Sequence, residues 1–287
     1  MSRDIKATQA KADILIEALP FIRAFAGCRV CIKVGGELVE DHLAARSLAE
    51  DLTFLKSVGI EVVLVHGGGP QISKAMKELG KEPKFIEGNR ITDEKSLEIA
   101  AMVLLGQINR TIVSLLNQAG TRAVGLNGVD DRMIRVTPKD PELGFVGTIQ
   151  EINTAPIEML LKNNYVPVIA GVGVDHHGQL YNINADSAAG KIAVALGAKK
   201  LIVLTNVEGL YQSFGDKDSL ISEIDTHGLI RLISTGKLSA GMIPKVEAIL
   251  GAVKAGIPQA HILDGRQAHA VLLEIFTCEG IGTMVRA

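Results

Sequence analysis

Several residues of this chain are of the types, and at the spacings, that grip phosphate. Val62-Val63-Leu64-Val65 runs straight into His66-Gly67-Gly68-Gly69-Pro70-Gln71-Ile72. Four consecutive apolar residues, three of them β-branched, suit a strand buried on both faces of a parallel sheet. Pro70 stands where a helix can begin, because the N–H it lacks is one that a first turn leaves unpaired. Strand, glycine turn and helix start together bring backbone N–H groups to the carboxyl edge of a sheet, a place for an anion and most often a phosphate. The plainer alternative is a tight turn without a ligand. The pattern is neither Gly-x-Gly-x-x-Gly nor a P-loop. A second stretch, Val30-Cys31-Ile32-Lys33-Val34-Gly35-Gly36-Glu37, repeats the strand and the glycines and adds a lysine able to reach what the glycines admit.

Further on, Asn182-Ile183-Asn184-Ala185-Asp186 leads into an Ala-rich segment. Asp186 suits a helix cap, but capping leaves Asn182 and Asn184, on one face of an extended segment, unexplained. Lys245 falls in the first turn of a helix opened by Gly241-Met242-Ile243-Pro244. The macrodipole disfavours a cation there, so a bound anion is indicated. Arg90 is a candidate carboxylate clamp, a guanidinium being bidentate; a solvated arginine is the alternative. No Ser–His or Cys–His pair for nucleophilic catalysis is evident. Phosphoryl transfer needs little covalent help, only in-line positioning and positive charge on the moving group.

Other groups lead less far. Cys28 and Cys31 form a Cys-x-x-Cys, but no second pair completes a zinc site. Cys278 stands alone, and the thiols read as reduced and mostly buried. His176-His177 has no evident third ligand, so no metal site is expected.

These residues need an α/β frame. The chain has 287 residues, 47% hydrophobic and 3% aromatic without Trp, which is a core of Ala, Val, Ile and Leu. Apolar strands alternate with helical patterns, implying an αβα sandwich of three layers around a mainly parallel sheet. Ligands of such sheets sit at the carboxyl ends of the strands, where the glycine turns, Lys33, Asn182, Asp186 and Lys245 all fall. Residues 41–57, with Leu43, Ala44, Leu48, Leu52 and Leu55, and residues 93–118 read as helices, Thr92 or Asp93 capping the second. Residues 131–150 read as a β-ribbon able to lid a pocket. Residues 7–26 precede the first strand, with Ile14, Ile16, Leu19 and Ile22 as an apolar face and Pro20 expected to kink or break the helix. The net charge of −2 gives no footprint for nucleic acid or a membrane surface. No apolar run is expected to span a bilayer and no secretory signal is apparent, which points to the cytoplasm.

Taken together, six blocks in order resemble the amino-acid kinase family, and within it the acetylglutamate kinases of arginine biosynthesis. They are Lys33-Val34-Gly35-Gly36, Val65-His66-Gly67-Gly68-Gly69-Pro70-Gln71, Gly88-Asn89-Arg90-Ile91-Thr92-Asp93, Asn182-Ile183-Asn184-Ala185-Asp186, Gly241-Met242-Ile243-Pro244-Lys245-Val246 and His261-Ile262-Leu263-Asp264-Gly265-Arg266. The resemblance implies ATP and Mg²⁺ as cofactors and phosphorylation of the side-chain carboxylate of N-acetyl-L-glutamate. It implies an N-terminal lobe, 27–178, for the acyl amino acid and a C-terminal lobe, 179–287, for the nucleotide. Lys33 and Lys245 would hold the transferring phosphoryl group and Asp186 would orient both lysines. Gly36, Gly68 and Gly69 would give N–H groups to the phosphoryl group and the substrate, Arg90 and Asn182 would hold the substrate, and Thr205 and Gly209 would meet the nucleotide. The substrate carboxylate is already ionised, so no general base is required. The alternatives are a kinase of a related acyl amino acid of the aminoadipate type and a non-catalytic arginine-sensing scaffold. Many members have Tyr, Asn, Leu and Asp where this chain has Val34, Glu37, Asn89 and Asn206. Arginine-sensitive members carry a mobile helix before the first strand that interlaces three dimers into a hexamer. Residues 1–26 match that segment, with Phe21 in place of a common Tyr, and His261, Glu274 and Gly280 match the arginine site. A PII-type signalling protein is among the partners the resemblance brings in.

Overall fold

The structure is a computed structural model that describes residues 5–213, 216–236, 238–239, 241–277 and 280–287. Cys278 lies outside the described residues. An eight-stranded sheet runs in the order Glu223–Asp225, Thr283–Arg286, Gln259–Asp264, Lys200–Thr205, Arg29–Val34, Glu61–His66, Val166–Ala170, Ala123–Asn127. Neighbours are parallel except Gln259–Asp264 with Thr283–Arg286. The strands from 27–178 make one end of the sheet and those from 179–287 the other, meeting where Arg29–Val34 pairs with Lys200–Thr205.

The central strands are buried on both faces, and their alternation builds the three layers. Val30, Ile32, Val62 and Leu64 face one apolar cluster, shared with the helices His42–Ser57 and Ala270–Phe276 and with the stretch Glu94–Gln118. Cys31, Val63, Val65 and Val203 face the other, shared with the helices Ala185–Ala195 and Ile243–Lys254. The sandwich expected from the alternation of strands and helices is therefore the observed fold. A smaller four-stranded sheet joins Ile134–Pro138 and Gly147–Ile152, the expected ribbon, to Val172–Val174 and Leu180–Asn182. Val172 and Gly173 are strand residues here although glycines flank and interrupt the segment.

Several local expectations change. The helix Ile5–Phe25 continues through Pro20 instead of breaking there. Ala18, Phe21, Ile22 and Phe25 pack on the core, while Ile14, Leu15 and Ile16 are exposed. The last turns of the helix therefore dock, and the apolar face expected at Ile14 and Ile16 projects from the core. Leu43 is 83% exposed, because Asp41 caps the helix at Leu43 and Ala44 and fixes its phase. The stretch Glu94–Gln118 is long and apolar enough to cross a membrane, contrary to expectation. It is capped by Asp93 and packs Ile99, Val103, Leu104, Ile108, Ile112 and Leu116 into the core.

Met102–Asn109 within that stretch is wound as a π-helix. It delivers Asn109 to the end of the Glu61–His66 strand. Asn109 Nδ2 donates to the Val168 carbonyl at 2.8 Å and lies 3.1 Å from His66 Nε2. The imidazole therefore accepts at Nε2 and donates from Nδ1 to the Gly67 carbonyl, 3.2 Å away. Gly125 makes room for this lock, since a Cβ there would meet Asn109 Oδ1 at 2.0 Å.

The lock sets a pH dependence. Burial pushes His66 from 6.5 down to about 4, against a smaller upward pull from its bond to Gly67. Between those values the unfolded chain holds a proton that the folded chain refuses, so stability falls as pH drops through that window, by roughly 3 kcal/mol in all. Urea unfolding at pH 7 and pH 5 should show a larger drop for the wild type than for His66→Gln; equal drops would refute the assignment.

Candidate active site

The site is assembled at the carboxyl edge of the Arg29–Val34 and Glu61–His66 strands. Lys33 points to the face covered by the helix Ala185–Ala195, whose cap is Asn184 and not Asp186. The Asn184 side chain accepts from the N–H groups of Asp186 and Ser187 at 2.9 and 3.0 Å. Asp186, relieved of capping, turns both carboxylate oxygens to cations. Lys33 Nζ is 2.9 Å from Oδ1 and Lys245 Nζ is 3.5 Å from Oδ2. Burial works to raise the Asp186 carboxyl, but Lys33 and then Lys245 outweigh it and hold it below the usual carboxylate range. Lys245 comes from the first turn of Ile243–Lys254 and also reaches the Gly241 carbonyl at 3.4 Å. Two cations share one anion, leaving one surplus positive charge at the site.

Beside this group lies a cavity of about 250 Å³. It is lined by Lys33, Asp186 and Lys245, by the glycines at 35–36 and 67–69, and by Arg90 and Asn182. The two glycine turns touch: a Cβ on Gly36 would stand 2.8 Å from Gly68 Cα, and one on Gly68 would stand 2.3 Å from Ile108 Cδ1. Gly67 N–H is spent on the Val34 carbonyl. The helix Gly69–Glu78 follows, Pro70 in its first turn, and first-turn N–H groups have no acceptor within a helix. Gln71 Nε2 donates to the Gly36 carbonyl at 2.7 Å.

Across the cavity Arg90 is buried rather than solvated. Its Nη2 donates to the Gly69 carbonyl and to Ser73 Oγ, both at 2.9 Å, and its guanidinium lies over the Phe85 ring. Among the described residues no carboxylate pairs with it, and burial pulls its pKa down. A desolvated guanidinium without a counter-ion is a receptor for a carboxylate. The Asn182 backbone is tied to Phe145 at 2.9 Å, and its side chain has no partner among the described residues. Asn89, at the rim, accepts from Lys139 at 3.0 Å.

Thr205 and Asn206 line a neighbouring cavity of about 260 Å³ that shares Gly35 and the exposed Glu37 with the first. Gly209 lines neither; it packs on Thr283, whose Oγ1 a Cβ there would meet at 2.4 Å. His261 and Glu274 form a separate buried pair, with the half-buried Gly280 against it. His261 Nδ1 is 2.6 Å from Glu274 Oε1, and Glu274 Oε2 accepts from the N–H groups of Ile281 and Gly282. Gly280 has φ 62°, and a Cβ there would stand 2.9 Å from Glu274 Oε2. Burial pushes His261 down; burial would raise Glu274, but His261 and the two N–H groups keep it low. Lys200, which residue-type reasoning did not single out, completes the cluster 3.1 Å from His261 Nε2 and above the Phe25 ring. Cys31 donates to the Ala189 carbonyl and burial lifts its thiol to about 12, while Cys28 turns to Ala24. The Cys-x-x-Cys is therefore not a pair. Among the described residues no three His, Cys, Asp or Glu side chains converge as a metal site.

The model of the amino acid kinase family matches residues 29–264. An acetylglutamate kinase of Caldanaerobacter subterraneus subsp. tengcongensis is 49% identical over 277 residues, 96% of this chain and 93% of that protein. Among solved structures, N-acetylglutamate synthase from Neisseria gonorrhoeae with coenzyme A and N-acetyl-glutamate superposes with a TM-score of 0.86 at 25% identity. This chain is covered to 96% and spans 63% of that longer one. The same synthase with coenzyme A and L-arginine gives 0.82 at 25% identity, covering 96% of this chain and 65% of that one. Surrounding one buried aspartate with two lysines and two touching glycine turns, and agreeing with the family model over that whole frame, the chain belongs to the amino acid kinase family, alongside the acetylglutamate kinases.

Proposed function

We propose that this protein transfers the γ-phosphoryl group of ATP to the side-chain carboxylate of N-acetyl-L-glutamate, giving N-acetyl-L-glutamyl 5-phosphate and ADP. The observation that carries this reading is one cavity lined both by two lysines that share a single buried aspartate and by a buried guanidinium that no carboxylate among the described residues pairs. A carboxylate oxygen of the substrate attacks the γ-phosphorus, and the bond from phosphorus to the β–γ bridging oxygen breaks with its electrons leaving on ADP. Lys33 and Lys245 carry the charge that spreads over the phosphoryl oxygens, and Asp186 keeps the two ammonium groups aimed. Gly36, Gly68 and Gly69 add backbone N–H groups, Arg90 and Asn182 hold the acyl amino acid, and Thr205 and Gly209 belong to the nucleotide side. Both oxygens of Asp186 face lysines, so Mg²⁺ fits best on the nucleotide's own phosphates, where it neutralises charge.

An acyl phosphate is trapped by hydroxylamine as a hydroxamate. With ATP and Mg²⁺ the protein should give hydroxamate from acetylglutamate. Product only from an acetylaminoadipate would shift the substrate by one methylene, and no product from any acyl amino acid would favour a scaffold.

Within that reaction the residues separate by role. Lys33→Ala and Lys245→Ala should each lower kcat by about a hundredfold or more, and Asp186→Asn should behave like them. Arg90→Ala should chiefly raise the KM for acetylglutamate, with folding checked by circular dichroism throughout. An unchanged KM in Arg90→Ala would remove the clamp role.

We further propose a cytoplasmic, arginine-inhibited hexamer built as a trimer of dimers through residues 1–26, in which a PII-type partner can also take part. The projecting Ile14, Leu15 and Ile16 support an interlaced helix, since exposed apolar faces need partners. Phe25 lies over Lys200 beside His261 and Glu274, which supports coupling between the helix and an arginine held there with Gly280. Phe21 offers no hydroxyl, so inhibition should be weaker by on the order of 1 kcal/mol than with a tyrosine. Removal of residues 1–26 should leave an active dimer by light scattering that arginine no longer inhibits. A full-length dimer that ignores millimolar arginine would overturn this.

A further inference from the structure

Gln71 is the buried polar side chain next to the site that the reaction as described leaves without a task. It is 5% exposed, one residue after Pro70 in the helix that starts from the second glycine turn. Its amide reaches out of that helix to the other turn, where Nε2 donates to the Gly36 carbonyl at 2.7 Å. Its Oε1 is buried with no hydrogen-bond partner among the described residues. That oxygen lies over Gly36, 2.2 Å from where a Cβ would stand. Buried acceptors without donors are rare, and those that persist are held there by their surroundings. An apolar side chain would fill the same space without leaving an oxygen unpaired, so packing alone gives no reason for an amide.

The surroundings show what the amide does. Gly36 and Gly68 are in backbone contact, and the peptides on either side of them face the cavity with Lys33, Asp186 and Lys245. The second turn is held from behind by the bond from His66 to the Gly67 carbonyl and by the bond from Gly67 N–H to Val34. The first turn, ending the Arg29–Val34 strand, is held at Gly35 by the Leu38 N–H and at Val34 by the Gly67 N–H, but its cap residue Gly35 offers no side chain. At Gly36 itself the Gln71 amide is the side-chain link to the helix of the second turn.

We infer that Gln71 is a positioning residue for phosphoryl transfer, a brace that fixes the Gly36 turn against the Gly67–Gly69 turn so that their N–H groups converge on one phosphoryl group. This rests on the kinase reading above. The brace acts through the turns and touches neither substrate. Arg90 is held to Gly69 and Ser73 by its own hydrogen bonds and the Asn182 backbone is held to Phe145, neither through Gln71, so the groups that clamp the acyl amino acid keep their own supports.

Two variants test the brace in the full-length protein. Gln71→Met keeps the bulk and deletes the amide. Gln71→Glu keeps the shape and sets a carboxylate oxygen against the Gly36 carbonyl. A misplacement of reacting groups by about 1 Å can cost on the order of a hundredfold. Both variants should therefore lose at least about tenfold in kcat with ATP and acetylglutamate, while the KM for acetylglutamate stays within about twofold. Hydrogen exchange followed by mass spectrometry gives a readout free of activity. Peptides covering residues 34–40 should exchange faster in Gln71→Met, with thermal unfolding little changed. Lowered melting with wild-type kcat would make Gln71 a packing residue and overturn the brace, as would unchanged exchange at 34–40. A wild type inactive on every acyl amino acid would overturn the kinase reading, and the exchange data would then decide the brace alone.

Discussion

One buried carboxylate, Asp186, ties the two ends of this molecule together. It draws Lys33 from the first strand of the sheet and Lys245 from a helix more than two hundred residues later. Desolvating three charged groups is expensive, and an apolar trio of similar volume would commonly be as stable or more so. The arrangement is therefore poorly explained as a contribution to stability. It is well explained as a means of holding two ammonium groups side by side at a place where a third anion is to arrive. Their mutual repulsion is contained by the aspartate before any ligand enters, so little reorganisation is left for the moment of reaction.

Everything nearby serves that placement. Asn184 takes over the helix cap and so releases Asp186 for the lysines. The π-helical turn carries Asn109 to His66, and His66 in turn holds the peptide at which the second glycine turn begins. The glycines are needed less for unusual torsion angles than for closeness: a methyl group on Gly36 would press on Gly68 and force the turns apart, and one on Gly68 would run into Ile108 and Leu104. Arg90 completes the design from the opposite side, its charge unanswered by any described carboxylate.

Much of this could be read in the amino-acid sequence, and the reasons are physical. Buried parallel strands announce themselves as runs such as Val62–Val65, and glycines after a strand announce a turn, so the αβα frame and the phosphate end of the site were legible. Lys245 betrayed itself by standing in a helix N-terminus that repels it. Asp186 was ambiguous because a carboxylate at a helix start has two common uses, and only the neighbouring asparagine decides between them. Lys200 and Asn109 left no signal, since their roles arise from contacts across tens of residues. Leu43 stands apart from the buried face that Ala44, Leu52 and Leu55 form, because an N-terminal apolar residue can lie beyond the edge of the layer it would cover. The helix runs on through Pro20 without a break, although Pro20 has no N–H to give to the preceding turn.

The order of strands has a consequence for how the chain comes to be folded. Arg29–Val34 lies in the middle of the sheet, between Glu61–His66 and a strand that begins only at Lys200. As the chain is made from its N-terminus, the first half can assemble its four strands with Arg29–Val34 as an open edge. Unpaired backbone groups and apolar side chains such as Ile32 stay exposed along that edge until residues 200–205 emerge. Such non-local pairing makes folding slow, and an open apolar edge invites pairing with other chains. Lys33 is unpaired until Asp186 emerges, shortly before that strand. The strand that later places the reacting group is thus, during synthesis, the most vulnerable part of the molecule, and a charged lysine on an open edge is one of the devices by which proteins discourage edge-to-edge aggregation.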